Sequence, residues 1–268
     1  RAGRVLLITN ATFEVVPPSL NVDLEVLSGH GGVPYKLRVL WLHQRAISLA
    51  KSRGCAAYIS TTPIGALRPT LPQIVTWHDL YDLTSLYRPL RTVLYSAAIW
   101  RSVASRSRKV VAVSRTTAQA ISSRFPALRQ KIRVIREGSK FSARSVPSEE
   151  VVSSNFLFVA NIQPNKNVEC LLRASRRLAT EDPTVRVQWV GVDVDRTIDK
   201  WFSQHGPLPN FDRCGSVDDE QLMHLYRAAA ALVVPSTDEG FCLPVVEAQS
   251  FGTPVIASDI PILREVAG

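Results

Sequence analysis

Short apolar runs alternate with helix-length amphipathic stretches along this 268-residue chain. That rhythm calls for parallel strands, buried on both faces and joined by crossover helices. In the first half the strands read as Val5–Thr9, Ala56–Ser60, Gln73–Trp77, Lys109–Val113 and Arg133–Ile135. Helical patterns lie between them at Leu37–Ser52, Leu86–Ser105 and Thr116–Arg124. The stretch from Ser139 to Asn155, rich in Ser, Pro and Glu, breaks the rhythm and reads as a linker. The scheme then starts again. Phe156–Ala160 reads as a strand, and Val168, Leu171, Leu172, Ser175 and Leu178 have helix spacing. Arg186–Gly191 is expected as a strand, Thr197–Ser203 and Asp218–Ala230 as helices, and Ala231–Pro235 and Pro254–Ser258 as buried strands. Ser216 and Asp218 offer N-caps, with Asp219 and Glu220 suited to a first turn. The expectation is an α/β protein of two domains, residues 1–140 and 141–268.

Composition narrows the partners. No apolar run approaches the roughly 20 residues that a membrane helix needs. Arg1 to Asn10 reads as a strand, without the apolar core of a secretory leader. Cys55, Cys170, Cys214 and Cys242 form no close pair, which fits reduced thiols and a cytoplasmic location. The net charge of +9 suggests nucleotide phosphates or the anionic inner face of a membrane as partners. Nucleic acid is not expected, because the arginines are scattered without a basic tail or an aromatic RNA-binding signature.

The most informative segment runs Ser236–Thr–Asp–Glu–Gly–Phe–Cys–Leu–Pro–Val–Val–Glu247. A buried strand is expected to end at Ser236, and a tight loop with Gly240 to follow. Pro244 suits a first helical position and Gly252 a C-terminal cap. Such a loop lies at the carboxyl end of a parallel strand, where open α/β sheets bind ligands. Backbone N–H groups near Phe241, Cys242 and Leu243 then face an anion at the helix start. Glu239 and Glu247 repel phosphate, so they suit sugar and ribose hydroxyls better. The spacing alone fits a surface loop with two solvated glutamates equally well.

Further features along the chain bear on its chemistry. Lys166 lies in Phe156–Leu–Phe–Val–Ala–Asn–Ile–Gln–Pro–Asn–Lys166–Asn167, after a strand. His78 closes the strand Gln73–Trp77; a neutral imidazole there can accept a hydroxyl's proton, or is simply structural. Asp79 reads as a turn residue and Ser114 as an N-cap. Asp193–Val–Asp195 has the D-x-D form of a metal site, but its place before a helix favours capping. No metal is therefore expected. Gly29–His–Gly–Gly–Val33 reads as a flexible turn, with an acceptor-side loop as the other option.

The run from Glu239 to Glu247 resembles the E-x7-E motif of family 4 retaining glycosyltransferases. The context is similar too: Leu225–Tyr226 and Val234–Pro235–Ser236 before it, then Gly252, Pro254–Val–Ile–Ala–Ser258 and Arg264–Glu–Val–Ala–Gly268. The Lys166 segment resembles the family's strand followed by a "PRKN" loop, with Asn165 and Asn161 at the candidate places of the usual Arg. The resemblance implies two Rossmann-like domains of the GT-B type, with the active site in the cleft between them. It implies that Glu239 contacts the donor sugar, Glu247 the ribose, and the Gly240–Leu243 loop the distal phosphate. Lys166 would pair with the diphosphate and His78 would lie near the transferred sugar. Cys242 stands where the family usually has a second Gly.

The implied activity is metal-independent transfer of a sugar, mannose favoured, from a GDP- or UDP-linked donor to an acceptor hydroxyl with retained configuration. The nucleotide-sugar is substrate, and no cofactor is expected. The acceptor is a glycan, a lipid-linked molecule or a small molecule. A nucleotide-sugar 2-epimerase of the same fold is an alternative, and so is an incompetent fragment acting as a binding subunit. Against the family's extent both ends look cut, so loose domain closure and poor transfer are expected of residues 1–268 alone.

Overall fold

Parallel strands with helical crossovers dominate the computed structural model, which describes residues 5–9, 22–26, 35–84, 89–141 and 154–268. The Gly29–Val33 loop and most of the Ser139–Asn155 stretch lie outside the described residues. The chain divides into two units, Arg1–Ile135 and Arg136–Gly268, against an expected boundary after residue 140. Each is described by itself.

In unit 1, β1 (Val5–Thr9) and β2 (Val22–Val26) form a parallel two-stranded ladder. Helix α1 (Tyr35–Ser52) leads to a second sheet made of β3 (Tyr58–Ser60), β4 (Gln73–Trp77), β5 (Lys109–Ala112) and β6 (Ile132–Val134). These four strands are parallel and lie in sequence order. A short helix α2 (Tyr81–Thr84), then α3 (Leu90–Arg106) and α4 (Arg115–Arg124), make the crossovers. Trp77 on β4 is fully buried and meets Trp100 of α3 and Phe125 edge-on, with centroids 5.1 and 5.6 Å away. Burying side chains of this kind contributes about 1.5–3 kcal/mol each, which fixes both helices on the sheet. Helix α3 runs from Leu90, and the first residues of its expected pattern, from Leu86, lie outside the described residues. Pro89 stands as its N-cap with an extended ψ of 135°.

Unit 2 contains β7 (Asn155–Val159), α5 (Val168–Glu181), β8 (Arg186–Val190), α6 (Thr197–His205) and β9 (Phe211–Gly215). It continues with α7 (Asp219–Ala228), β10 (Ala231–Val234), α8 (Leu243–Ser250), β11 (Val255–Ala257) and α9 (Pro261–Ala267). The sheet order is β11-β10-β7-β8-β9, parallel throughout. From β7 the chain winds outward through β8 and β9, then returns to β10 on the other side. The strand order therefore reverses between β7 and β10, and this is where ligands bind in open α/β sheets. Neighbouring residues of β7 serve opposite faces. Leu157 packs with Tyr226, Leu232, Val245 and Leu263, while Phe158 packs with Leu172, Trp189, Ile198 and Trp201. Helix α8 begins at Leu243, so Pro244 is its second residue, where a missing N–H still costs nothing. Among the described residues no helix is long and apolar enough to cross a membrane.

Candidate functional site

Two loops meet at the carboxyl ends of β7 and β10. The β7 loop makes a turn of 3-10 helix at Pro164–Lys166, and Asn167 then takes a left-handed conformation with φ 51°. Asparagine tolerates that region better than most residues. Its side-chain Nδ2 donates to the Pro235 carbonyl at 3.0 Å. Asn165 Nδ2 donates to the Asp238 carbonyl at 2.9 Å, and the Thr237 N–H donates back to the Asn165 carbonyl at 2.8 Å. Three bonds thus staple the β7 loop to the β10 loop.

The staple brings Lys166 and Glu239 together. Lys166 Nζ lies 2.6 Å from Glu239 Oε1, and Ser236 Oγ donates to the same oxygen at 2.8 Å. The Glu239 side chain is only 8% exposed and Lys166 22%, so the pair offsets a desolvation that neither charge sustains alone. Glu239 Oε2 takes no hydrogen bond among the described residues.

One turn further, α8 presents its start to the same corner. Cys242 has φ 72° and ψ 70°, a left-handed conformation that suits glycine better. Its side chain packs into the core beside Val245 and Ala248. Burial, then the nearby Glu239 carboxylate, pushes the thiol pKa up to about 12. Cys242 is therefore a neutral filler. Among the described residues the N–H groups of Phe241, Cys242 and Leu243 meet no acceptor. Glu247, buried to 7% exposure, accepts the Tyr226 hydroxyl on Oε2 at 2.8 Å. Its Oε1 has no donor among the described residues. Burial, followed by the Glu247 charge, raises the Tyr226 pKa, so that hydroxyl stays a donor. The helix closes at Gly252 (φ 75°), whose N–H reaches the Gln249 carbonyl while that of Thr253 reaches Ala248. This is the hydrogen-bond pattern of a glycine C-cap.

His78 belongs to unit 1 and is exposed at the carboxyl end of β4. Its Nε2 lies 2.7 Å from the Thr61 carbonyl. A carbonyl only accepts, so Nε2 carries the proton. Asp79 Oδ1 accepts the Tyr81 N–H at 2.9 Å, and Ser114 Oγ accepts that of Thr117 at 2.9 Å, as turn and cap residues do. Asp193 uses both carboxylate oxygens on the α6 start, accepting from Thr197 N at 2.9 Å and Ile198 N at 2.8 Å. Asn161 Oδ1 accepts the Val192 N–H at 3.0 Å, and Asn165 Nδ2 is engaged by the Asp238 carbonyl. Ser236 and Tyr226 were not among the residues predicted from the sequence. They sit three and twenty-one positions before the carboxylates they serve, and no spacing rule links residues on different elements.

Similarity to known proteins gives the chain a family. The family described as "Glycosyltransferase Family 4" matches residues 5–139, and "Glycosyl transferases group 1" matches residues 145–268. A D-inositol 3-phosphate glycosyltransferase of Segniliparus rotundus is 33% identical over 58% of this chain and 38% of its own length. The O-antigen chain mannosyltransferase RfbU of Salmonella typhimurium is 29% identical over 72% of this chain and 54% of its own. The chain thus spans between about a third and a half of these two curated relatives. Among solved structures, WaaG, a glycosyltransferase involved in lipopolysaccharide biosynthesis, superposes with a TM-score of 0.73 at 15% identity. That superposition covers 99% of this chain and 76% of WaaG, and shows the shared GT-B fold.

Proposed function

Because this chain belongs to glycosyltransferase family 4, we propose that its site takes a GDP- or UDP-linked sugar, mannose favoured, and delivers it to an acceptor hydroxyl with retained configuration. One observation carries this reading. At the β7/β10 corner, two buried carboxylates each keep one oxygen fixed and one without a donor among the described residues, beside a lysine and an open helix start. A diphosphate suits Lys166 and the N–H groups of Phe241–Leu243, which concentrate positive potential there. Glu247 Oε1 suits a ribose hydroxyl, and Glu239 Oε2 a hydroxyl of the sugar.

In this reaction the bond from the anomeric carbon to the diphosphate oxygen breaks, and a bond from the acceptor oxygen forms on the same face. The departing diphosphate takes the acceptor's proton. Lys166 and the α8 start stabilise the charge that grows on that leaving group, the role of preorganised donors in group transfer. His78, whose Nε2 meets the Thr61 carbonyl at the end of β4, is assigned to the neighbourhood of the transferred sugar. The nucleotide-sugar is substrate and no cofactor takes part. Asp193 is occupied by helix capping, and transfer is proposed to need no metal. The acceptor is a glycan, a lipid-linked molecule or a small molecule. The basic surplus favours work in the cytoplasm, beside the anionic inner membrane face.

Calorimetry with GDP, UDP and their sugar derivatives tests the site. Glu247→Ala should weaken every nucleotide by about 1.5–3 kcal/mol, the worth of a charged hydrogen bond. Glu239→Ala should remove the advantage of nucleotide-sugar over bare nucleotide. Parent-like binding in both variants would sink the assignment. Transfer by the complete protein should continue in EDTA, whereas strict dependence on added manganese would overturn the metal-free mechanism.

A further inference from the structure

At the amino edge of the four-stranded sheet of unit 1, α3 and the chain leaving α4 enclose a pocket of about 490 Å³. Ala97, Ala98, Arg101 and Ser105 line it from α3, and residues 124–128 line the other side. The volume lies within the range of small-ligand pockets, roughly 300–1,000 Å³. Its wall is apolar: Phe125 rests edge-on against the buried Trp77, and Leu128 is buried. Its charged lining groups are two guanidiniums, Arg101 and Arg124, and neither pairs with a carboxylate among the described residues. Lys131, whose Nζ donates to the Ser107 carbonyl at 2.9 Å, adds a third positive charge beside Ser105. Toward the α3 start, Leu94 and Leu90 stand 58% and 71% exposed. They lie four and eight positions before Ala98, so the three share one helix face. An apolar track therefore runs along α3 into a cationic pocket.

That combination selects its ligand. A cation is repelled, and a neutral apolar molecule leaves the guanidiniums without a partner. A bare anion leaves the apolar wall uncovered. The planar fork of arginine matches the oxygens of phosphate and carboxylate. We propose that this pocket binds a single-chain amphipathic anion, a phosphate monoester or carboxylate on an alkyl body. The head lies between Arg101 and Arg124, and the body follows Ala98 toward Leu94. The pocket is not the sugar-donor site. It lies in the other unit from Lys166, Glu239 and Glu247, and at the opposite edge of its sheet from His78.

The test titrates the full chain with n-octyl phosphate below its micelle concentration, read by tryptophan fluorescence. Trp77 and Trp100 lie behind Phe125 and report on the pocket. Saturable binding is expected. Inorganic phosphate, octanol and octyltrimethylammonium should each bind roughly tenfold more weakly or not at all, the loss that accompanies one missing charged contact. Arg101→Ala and Arg124→Ala should each weaken octyl phosphate by a similar factor, and Ala98→Phe should block it by filling the space. All three positions are exposed, so the substitutions leave the fold intact. GDP and UDP affinities should stay unchanged in all three variants. Equal binding of octyltrimethylammonium and octyl phosphate would overturn the proposal, as would parent-like binding in all three variants. Uptake onto anionic phospholipid vesicles without binding of the monomer would also overturn it, because that reports surface charge and not a pocket.

Discussion

Among the described residues the buried Glu247 side chain takes its hydrogen bond from the Tyr226 hydroxyl, and this makes Tyr226 the most informative residue to change. Tyr226→Phe removes the donor and leaves the ring in place, where it packs on Phe251 with centroids 5.8 Å apart. The cost expected for an orphaned buried carboxylate is about 1–3 kcal/mol of stability, with a parallel loss of nucleotide affinity. An unchanged urea midpoint would show that Glu247 is held by something else. His43 offers a second test. It lies on α1 with Nδ1 2.8 Å from the Tyr58 hydroxyl, and burial lowers its pKa from 6.5 to about 4. The fold therefore favours the neutral ring, and the unfolded chain binds the extra proton between those values. Stability from this residue is fully present above pH 6.5 and falls as pH drops toward about 4. The total loss expected is about 3 kcal/mol. Thermal melts across this window should show a steeper decline for the parent than for His43→Gln. Identical slopes would remove His43 from the account.

Elements are held by caps whose chemistry is legible in the chain. Asp218 accepts the Gln221 N–H at 2.8 Å, and the Gln221 side chain accepts the Asp218 N–H at 3.3 Å, a reciprocal capping box on α7. Asp218→Ala should cost about 1 kcal/mol, and Gln221→Ala less, since it loses only the longer bond. Equal midpoints for Asp218→Ala and the parent, measured by chemical unfolding, would show that α7 is held by packing alone. Strands were unevenly legible. Gln73–Trp77 stands where its apolar run places it. Phe211–Gly215 shows no strand pattern in the sequence, because Asp212 and Arg213 interrupt it. As the edge strand β9 it needs only one hydrogen-bonded neighbour, and Arg186 pairs with Asp212 across that neighbour. Val22–Val26 is a strand beyond those expected, and it alternates strictly, Val–Asp–Leu–Glu–Val, the period of a half-buried strand. Gly191 illustrates a constraint that no pattern reveals. A Cβ there would stand 2.0 Å from the Ala160 carbonyl, so the β7 and β8 loops approach as they do only around glycine.

For the whole molecule, Lys166, Glu239, Glu247 and Tyr226 all belong to the unit Arg136–Gly268, which has its own cores on both sheet faces. Hydrogen exchange with saturating GDP or UDP should therefore slow most at β7, β10 and α8, because binding to the folded state suppresses its local opening. Greatest protection in β4 and β5 instead would move the nucleotide site to the other unit. The sequence by itself determined the alternating parallel architecture, the doubled α/β scheme and the Glu239–Glu247 motif. Each of these is a local periodicity or spacing, and burial reads such patterns directly. Tertiary structure alone decided that Lys166 and Glu239, 73 positions apart, form an ion pair. It also decided that Tyr226 holds Glu247, and that two arginines flank one pocket at the amino edge of the unit 1 sheet. Those neighbours arise because β7 and β10 adjoin in the sheet while α3 and α4 pack on one face. Adjacency of that kind follows from strand order, which the chain's periodicity does not encode.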